Sequence, residues 1–160
     1  MRPTILGSFS LLAVLGCAAS APAQEGEAHA LLAAHNAARA RHCVPPLRWS
    51  AAIAAAASRW ASRCVFNHDR GNDLGENLAW GTSLSGEEAF GLWYEEISIY
   101  DYRSPGFGPA GHFTQVIWRE STQVGCGAAR CGDQVYWVCR YAPPGNVEGE
   151  YRENVPPPCR

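Results

Sequence analysis

Cysteine parity constrains this 160-residue chain more than any other feature. There are seven cysteines, and one of them, Cys17, lies in an apolar leader. The other six are Cys43, Cys64, Cys126, Cys131, Cys139 and Cys159. An even number in an exported chain reads as a framework of three disulfides, which pins a fold that its core alone does not have to hold. The rival is a four-cysteine zinc site. Its close pairs are nearly absent: Cys126 and Cys131 are the sole candidate, and one pair without a second argues against that reading.

The leader supports export. Arg2 precedes a short apolar stretch, Ile5 to Leu15, and Ala21-Pro22-Ala23 fits small-x-small cleavage. The rival reading of these residues is a buried N-terminal helix. The expected organisation is a signal peptide over 1–23 and a single domain over 24–160 with an extended C-terminal tail. Val14-Leu15-Gly16-Cys17 also resembles a bacterial lipoprotein box, in which Cys17 would carry the anchor. The chain is therefore expected to be secreted or periplasmic, with the lipoprotein as the alternative. No apolar run reaches the roughly 18 residues that span a bilayer, so no transmembrane segment is expected. Thirteen Arg and no Lys stand against 15 acids, a net charge of −2. That balance offers no basic footprint and argues against a nucleic-acid partner. Apolar residues make up 47% and charged residues 18%, a globular rather than a disordered composition.

Periodicity predicts a first helix from about Glu27 to Arg41, stopped by Pro45-Pro46. A second starts after Ser50 as N-cap and continues through an Ala-rich run to Cys64. A third starts near Ser85, where Ser85-x-x-Glu88 is a capping box. A Gly/Pro-rich loop, Ser104 to Gly111, precedes a short apolar segment, His112 to Trp118. Thr122 to Ala128 and Gln134 to Tyr141 read as two strands joined by a turn at Cys131-Gly132-Asp133. Leu78-Ala79-Trp80 reads as a third, earlier strand. The tail from Pro143 reads as extended chain wrapping the surface. Helices first and a hairpin last suggest α+β, with helices on both faces of a small sheet.

Four ionisable residues sit in apolar frames: His68 after Val65-Phe66-Asn67, Glu76 in Leu74-Gly75-Glu76-Asn77-Leu78, Glu96 after Leu92 and Trp93, and His112 in Gly111-His112-Phe113. Charged groups in such frames must be paired or must line a cavity, because a lone buried charge is costly. Glu95, on a different helix face, is expected to face solvent.

The string Gly111 to Ser121, GHFTQVIWRES, resembles the signature of the CAP superfamily, the SCP-domain proteins. That family groups cysteine-rich secretory, antigen-5 and pathogenesis-related 1 proteins. His35-Asn36-x-x-Arg39, Pro46-Leu47-x-Trp49, Gly75-Glu76-Asn77-Leu78, Trp93-Tyr94-x-Glu96-Ile97 and Cys139-x-Tyr141-x-Pro143-Pro144-Gly145-Asn146 match in the family's order. The resemblance implies a three-layer α-β-α sandwich around a small, mostly antiparallel sheet. It implies a large cleft with two His and two Glu, which map onto the same His68, Glu76, Glu96 and His112. Two imidazoles converging in one groove suit a divalent metal such as zinc, bound weakly, with the carboxylates orienting the rings. Such binding depends on pH, since imidazole must be deprotonated to ligate. The bland alternative is a hydrogen-bonded network that fixes loops across a cleft.

The resemblance carries other roles too. Several members bind sterols, fatty acids or phospholipids, and the loop from Tyr100 to Phe113 offers Tyr100, Tyr102, Phe107 and Phe113 to a small apolar ligand or lipid. The plain alternative is that these rings pack on the sheet. A weak hydrolase with Ser121 or Thr114 as nucleophile is the remaining alternative; neither lies in a Gly-x-Ser-x-Gly elbow, and no catalytic residue is assigned. Pro143 to Gly149 resembles the peptide-releasing segment of plant members, but the chain runs on to Cys159. Resemblance to the plant branch implies Cys64–Cys131 and Cys126–Cys139. Cys43 and Cys159 are left over and are paired with each other.

Overall fold

The computed structural model describes residues 21–159. Small residues decide how its layers meet. Strand β3 (Gln123–Cys131) carries Gly125 and Gly127 on one face, and a Cβ at either position would collide with the backbone of helix α2 (Ala51–Ala61). The Ala-rich helix therefore lies directly on the strand, with Ala57 and Ala61 fully buried.

The sheet has the order β1 (Arg48–Trp49), β3, β4 (Gln134–Ala142), β2 (Gly75–Thr82). β1 runs parallel to β3, and the other pairings are antiparallel. Helix α2 covers one face, with Leu78, Tyr136 and Val138 beneath it. On the other face lie α1 (Ala21–Arg41), α3 (Gly86–Glu95) and α4 (Gly111–Ile117), over Ala79, Val124, Cys126, Trp137, Cys139 and Tyr141. The molecule is an α+β sandwich of three layers, as the motifs imply.

Local chemistry sets the element ends. Ser50 caps α2 by accepting from the Ile53 N–H at 3.4 Å. At α3 the capping box closes both ways: Ser85 Oγ accepts from the Glu88 N–H at 3.2 Å, and Glu88 Oε2 accepts from the Ser85 N–H at 2.8 Å. Gly132, at φ 70°, makes the tight connection of the β3–β4 hairpin.

The elements depart from the sequence expectations in several places. Helix α1 begins at Ala21, not near Glu27. Helix α2 stops at Ala61, three positions before Cys64, which sits in the left-handed region at φ 52°. Strand β2 runs well beyond Leu78-Ala79-Trp80 because β4 offers a full antiparallel partner from Tyr141 back to Gln134. The tail is not simply extended: it forms a helical turn, α5 (Tyr151–Asn154), that buries Tyr151 and Asn154, with Val155 buried just beyond. The apolar frame around Glu96 also loses Leu92, which is 52% exposed. Three disulfides form: Cys43–Cys159, Cys64–Cys131 and Cys126–Cys139. Most of the leader, including Cys17, lies outside the described residues.

Candidate functional site

The first half of the site is built where α2 gives way to β2. The Cys64–Cys131 bridge ties the start of this connection to β3. The Trp60 indole donates to the Asn67 carbonyl at 2.9 Å, and the Asp69 carboxylate takes the Gly71 N–H at 3.0 Å, which folds the loop back. His68 is thereby set beside Glu76, the second residue of β2. Register places Arg140 of β4 directly opposite Glu76. Glu76 accepts from His68 Nδ1 at 2.9 Å, from the Asp69 N–H at 3.1 Å and from Arg140 Nε at 2.9 Å. The other arm of Arg140 donates to Asp69 Oδ2 at 2.7 Å. A carboxylate whose side chain is only 5% exposed is tolerable because every side of it is compensated. Burial works to raise the Asp69 carboxyl, but the Gly71 N–H and the Arg140 guanidinium outweigh it and hold the group below its ordinary value.

The second half lies where α3 tightens into a single 3₁₀ turn, Glu96–Ile99. Glu96 Oε2 accepts from the backbone N–H groups of His112 at 2.9 Å and Phe113 at 3.1 Å. These are first-turn amides of α4, which have no partner within the helix. Glu96 Oε1 accepts from His112 Nδ1 at 2.6 Å. Burial acts to raise the Glu96 carboxyl. The hydrogen bond and charge of His112, together with the two amides, more than reverse that and hold it low. Trp93 stacks beside the His112 ring, with centroids 6.5 Å apart.

The four predicted residues thus come as two His–Glu pairs. Among the described residues, hydrogen bonds link the pairs only through β2. Glu76 turns toward the α2 side with Arg140, whose guanidinium stands 5.8 Å from the Trp60 ring. The next residue, Asn77, turns the other way and donates to the His112 carbonyl at 3.0 Å. Glu95 is exposed, as expected. In both imidazoles Nδ1 faces a carboxylate, and Nε2 has no hydrogen-bond partner among the described residues.

The aromatic loop divides. Phe113 is fully buried, and Tyr100 and Tyr102 pack half-buried against the core. Phe107 alone of the four is exposed, at 57%. Its ring lies against Gly111, where a Cβ would strike it, immediately before His112. Ser121 is buried, donating to the Pro143 carbonyl at 2.8 Å and accepting from Gln115 Nε2 at 3.2 Å. Thr114 donates to Gly111 and Asn146. Neither hydroxyl is bonded to an imidazole.

Asp69, Asn77 and Arg140 are missing from the sequence expectation. Arg140 had a visible signal, a lone charge in the apolar alternation Tyr136-Trp137-Val138-Cys139-Arg140-Tyr141. Asp69 had none beyond its place next to His68.

A family model described as the cysteine-rich secretory protein family matches residues 32–141. Pathogenesis-related protein 1A of Nicotiana tabacum is 39% identical over 158 residues, covering 92% of this chain and 93% of the relative. The Golgi-associated plant pathogenesis-related protein 1 of Homo sapiens is 39% identical over 141 residues, covering 80% and 91%. The chain spans only 47% of a probable pathogenesis-related protein of Arthroderma benhamiae and 39% of Protein PRY2 of Saccharomyces cerevisiae. Among solved structures, NaASP2 with Zn2+ superposes with a TM-score of 0.74 at 22% identity, over 85% of this chain and 87% of that one. Venom allergen-like protein 4 of Schistosoma mansoni gives 0.68 at 25% identity, over 80% and 94%. The chain belongs to the cysteine-rich secretory protein family.

Proposed function

We propose that this is an exported, disulfide-stapled binding protein that takes a divalent metal, zinc being the test case, through His68 and His112. The observation that carries the reading is the shared arrangement of the two rings. Each Nδ1 is tied to a carboxylate, 2.9 Å for His68–Glu76 and 2.6 Å for His112–Glu96. A proton fixed on Nδ1 leaves the Nε2 lone pair as the ligating atom, and carboxylates are usual partners of metal-ligating imidazoles. The rings are also the accessible members of their pairs, with side chains 60% and 37% exposed against 5% and 19% for the acids. The protein donors of this reading are two imidazoles alone, since among the described residues no group of three or more His, Cys, Asp or Glu is arranged to hold an ion, and the affinity expected is correspondingly weak. A bound metal would supply a Lewis-acidic centre with positions left for water or a ligand. The solved relative NaASP2 holds Zn2+, which supports choosing that ion as the probe.

Export is supported by the small-x-small leader motif and by three disulfides, which persist in oxidising compartments. Mass spectrometry of native protein from the medium or envelope, expected to begin at Gln24, distinguishes cleavage from lipidation at Cys17.

Calorimetric titration with zinc tests the site. The wild type is expected to give saturable heat that the double variant His68→Ala, His112→Ala loses. Identical heats remove the metal reading. One observation favours a second role: the exposed Phe107 ring beside Gly111 stands at the edge of the His112 pair, where an apolar ligand could lie. Fatty-acid and sterol probes should then bind saturably, and more weakly to Phe107→Ala; no saturable binding ends that reading.

A further inference from the structure

We propose that Asn77 is the positioning residue for His112, and that a buried relay beginning at His35 holds Asn77 in that role. The inference rests on the reading of His112 as a metal ligand and adds a residue to that site.

The direction of every bond in the relay follows from its first member. His35 is fully buried, and its Nδ1 lies 2.8 Å from the Leu31 carbonyl. A carbonyl can only accept, so Nδ1 carries the proton and Nε2 carries the lone pair. Burial keeps this ring neutral by pushing its pKa down to about 4. Nε2 therefore accepts from the Tyr141 hydroxyl at 2.9 Å. With its one proton committed, the Tyr141 oxygen accepts from Asn77 Nδ2 at 3.2 Å. The second N–H of the same amide goes to the His112 carbonyl at 3.0 Å. Tyr141 and Asn77 are both buried, so solvent does not compete for these groups.

The amide's other end strengthens the argument. Asn77 Oδ1 is buried and has no hydrogen-bond partner. Turning the amide over would set an oxygen against the His112 carbonyl and against a Tyr141 oxygen whose proton already points at His35. The fold thus leaves an acceptor unpaired and keeps the donor on His112. That residue is then held at three points: its carbonyl by Asn77, its N–H by Glu96 Oε2 at 2.9 Å, and ring Nδ1 by Glu96 Oε1 at 2.6 Å. Glu96 accepts the proton that leaves Nε2 free, and Asn77, by fixing the backbone from which the ring projects, keeps Nδ1 within reach of Glu96.

Nitrogen NMR of the imidazoles in metal-free protein, followed by zinc titration, tests this. Tyr141→Phe deletes the hydroxyl that orients the amide. Asn77→Leu keeps the side-chain volume and removes the donor. In both, His112 should shift from the Nδ1–H form toward a mixture of tautomers, while His68, held separately by Glu76, keeps its signals. Zinc affinity should fall roughly 10-fold or more, the scale seen when a partner that orients a metal-bound imidazole is lost. A general loss of structure would move both rings together, and that result counts against a positioning role. Unchanged His112 signals in whichever variant folds overturn the proposal. If wild-type protein takes no zinc, the metal reading fails, and the tautomer measurement still decides the role of Asn77.

Discussion

Arg39 is a buried cation with no carboxylate partner among the described residues. Its guanidinium donates to the carbonyls of Pro45 at 2.7 Å, Val116 at 3.0 Å, Trp118 at 2.7 Å, Arg119 at 3.3 Å and Ser121 at 3.0 Å. It gathers the carbonyls left free past the end of α4 and knots that end to α1. Arg39→Met would fill the volume but strand those acceptors, and is expected to cost about 3 kcal/mol or more in denaturant unfolding. Its neighbour His35 sets a pH dependence. Burial is the main cause of its low pKa of about 4; the Leu31 carbonyl opposes it and the Arg39 charge adds to it. An unfolded chain protonates the same ring near pH 6.5. The unfolded state therefore binds more protons between those values, so stability is complete above about pH 6.5 and declines as pH falls toward 4. The loss should be on the order of 3 kcal/mol, and His42, also held low chiefly by burial, adds to it in the same direction. Unfolding midpoints across that window should slope for the wild type and slope less for His35→Phe, the remainder coming from groups such as His42. At this scale apolar frames in the sequence picked out His68, Glu76, Glu96 and His112, but not the buried His35 and His42 or the paired Asp69. Nor did they reveal Arg140 as the partner of Glu76, since that depends on which strand lies opposite which.

Elements with a chemical start signal were legible. Ser50 and the Ser85–Glu88 box mark the beginnings of α2 and α3, and Ser85→Ala should cost about 1 kcal/mol in thermal or denaturant unfolding. The hairpin was legible because alternation and a Gly-Asp turn agree. The two-residue β1 was not: it is a strand only because Arg48 and Ser50 donate their N–H groups to the carbonyls of Thr122 and Val124. The turn of α5 was hidden for a similar reason. Pro and Gly around it read as extended chain, yet Tyr151 finds Trp118, with ring centroids 5.3 Å apart, and Asn154 Oδ1 accepts the Glu120 N–H at 3.1 Å. Tertiary partners created both elements. The contact between α2 and β3 gives a sharp test. Gly127→Val puts a branched side chain where the helix backbone already lies, and should lower stability by about 2 kcal/mol or more, read from the denaturant midpoint.

Across the whole molecule, the tail closes the structure. Cys159 bonds to Cys43, its N–H donates to the Arg41 carbonyl at 2.9 Å, and the Pro156 carbonyl accepts from His42 Nδ1 at 2.7 Å. Replacing both Cys43 and Cys159 by Ala should lower the melting temperature, with a loss of up to about 4 kcal/mol if loop closure dominates. The pairing was readable only by resemblance and remainder, because nothing in the intervening sequence announces that its ends meet. The bridge joins positions 116 apart, and the other two bridges fall inside that span. A pull applied at the two termini would therefore run through one sulfur–sulfur link and bypass the sheet, both His–Glu pairs and every helix after α1. While the link stays oxidised, the covalent path between the ends skips the segments that carry the site, and load reaches them only through the packing of α1.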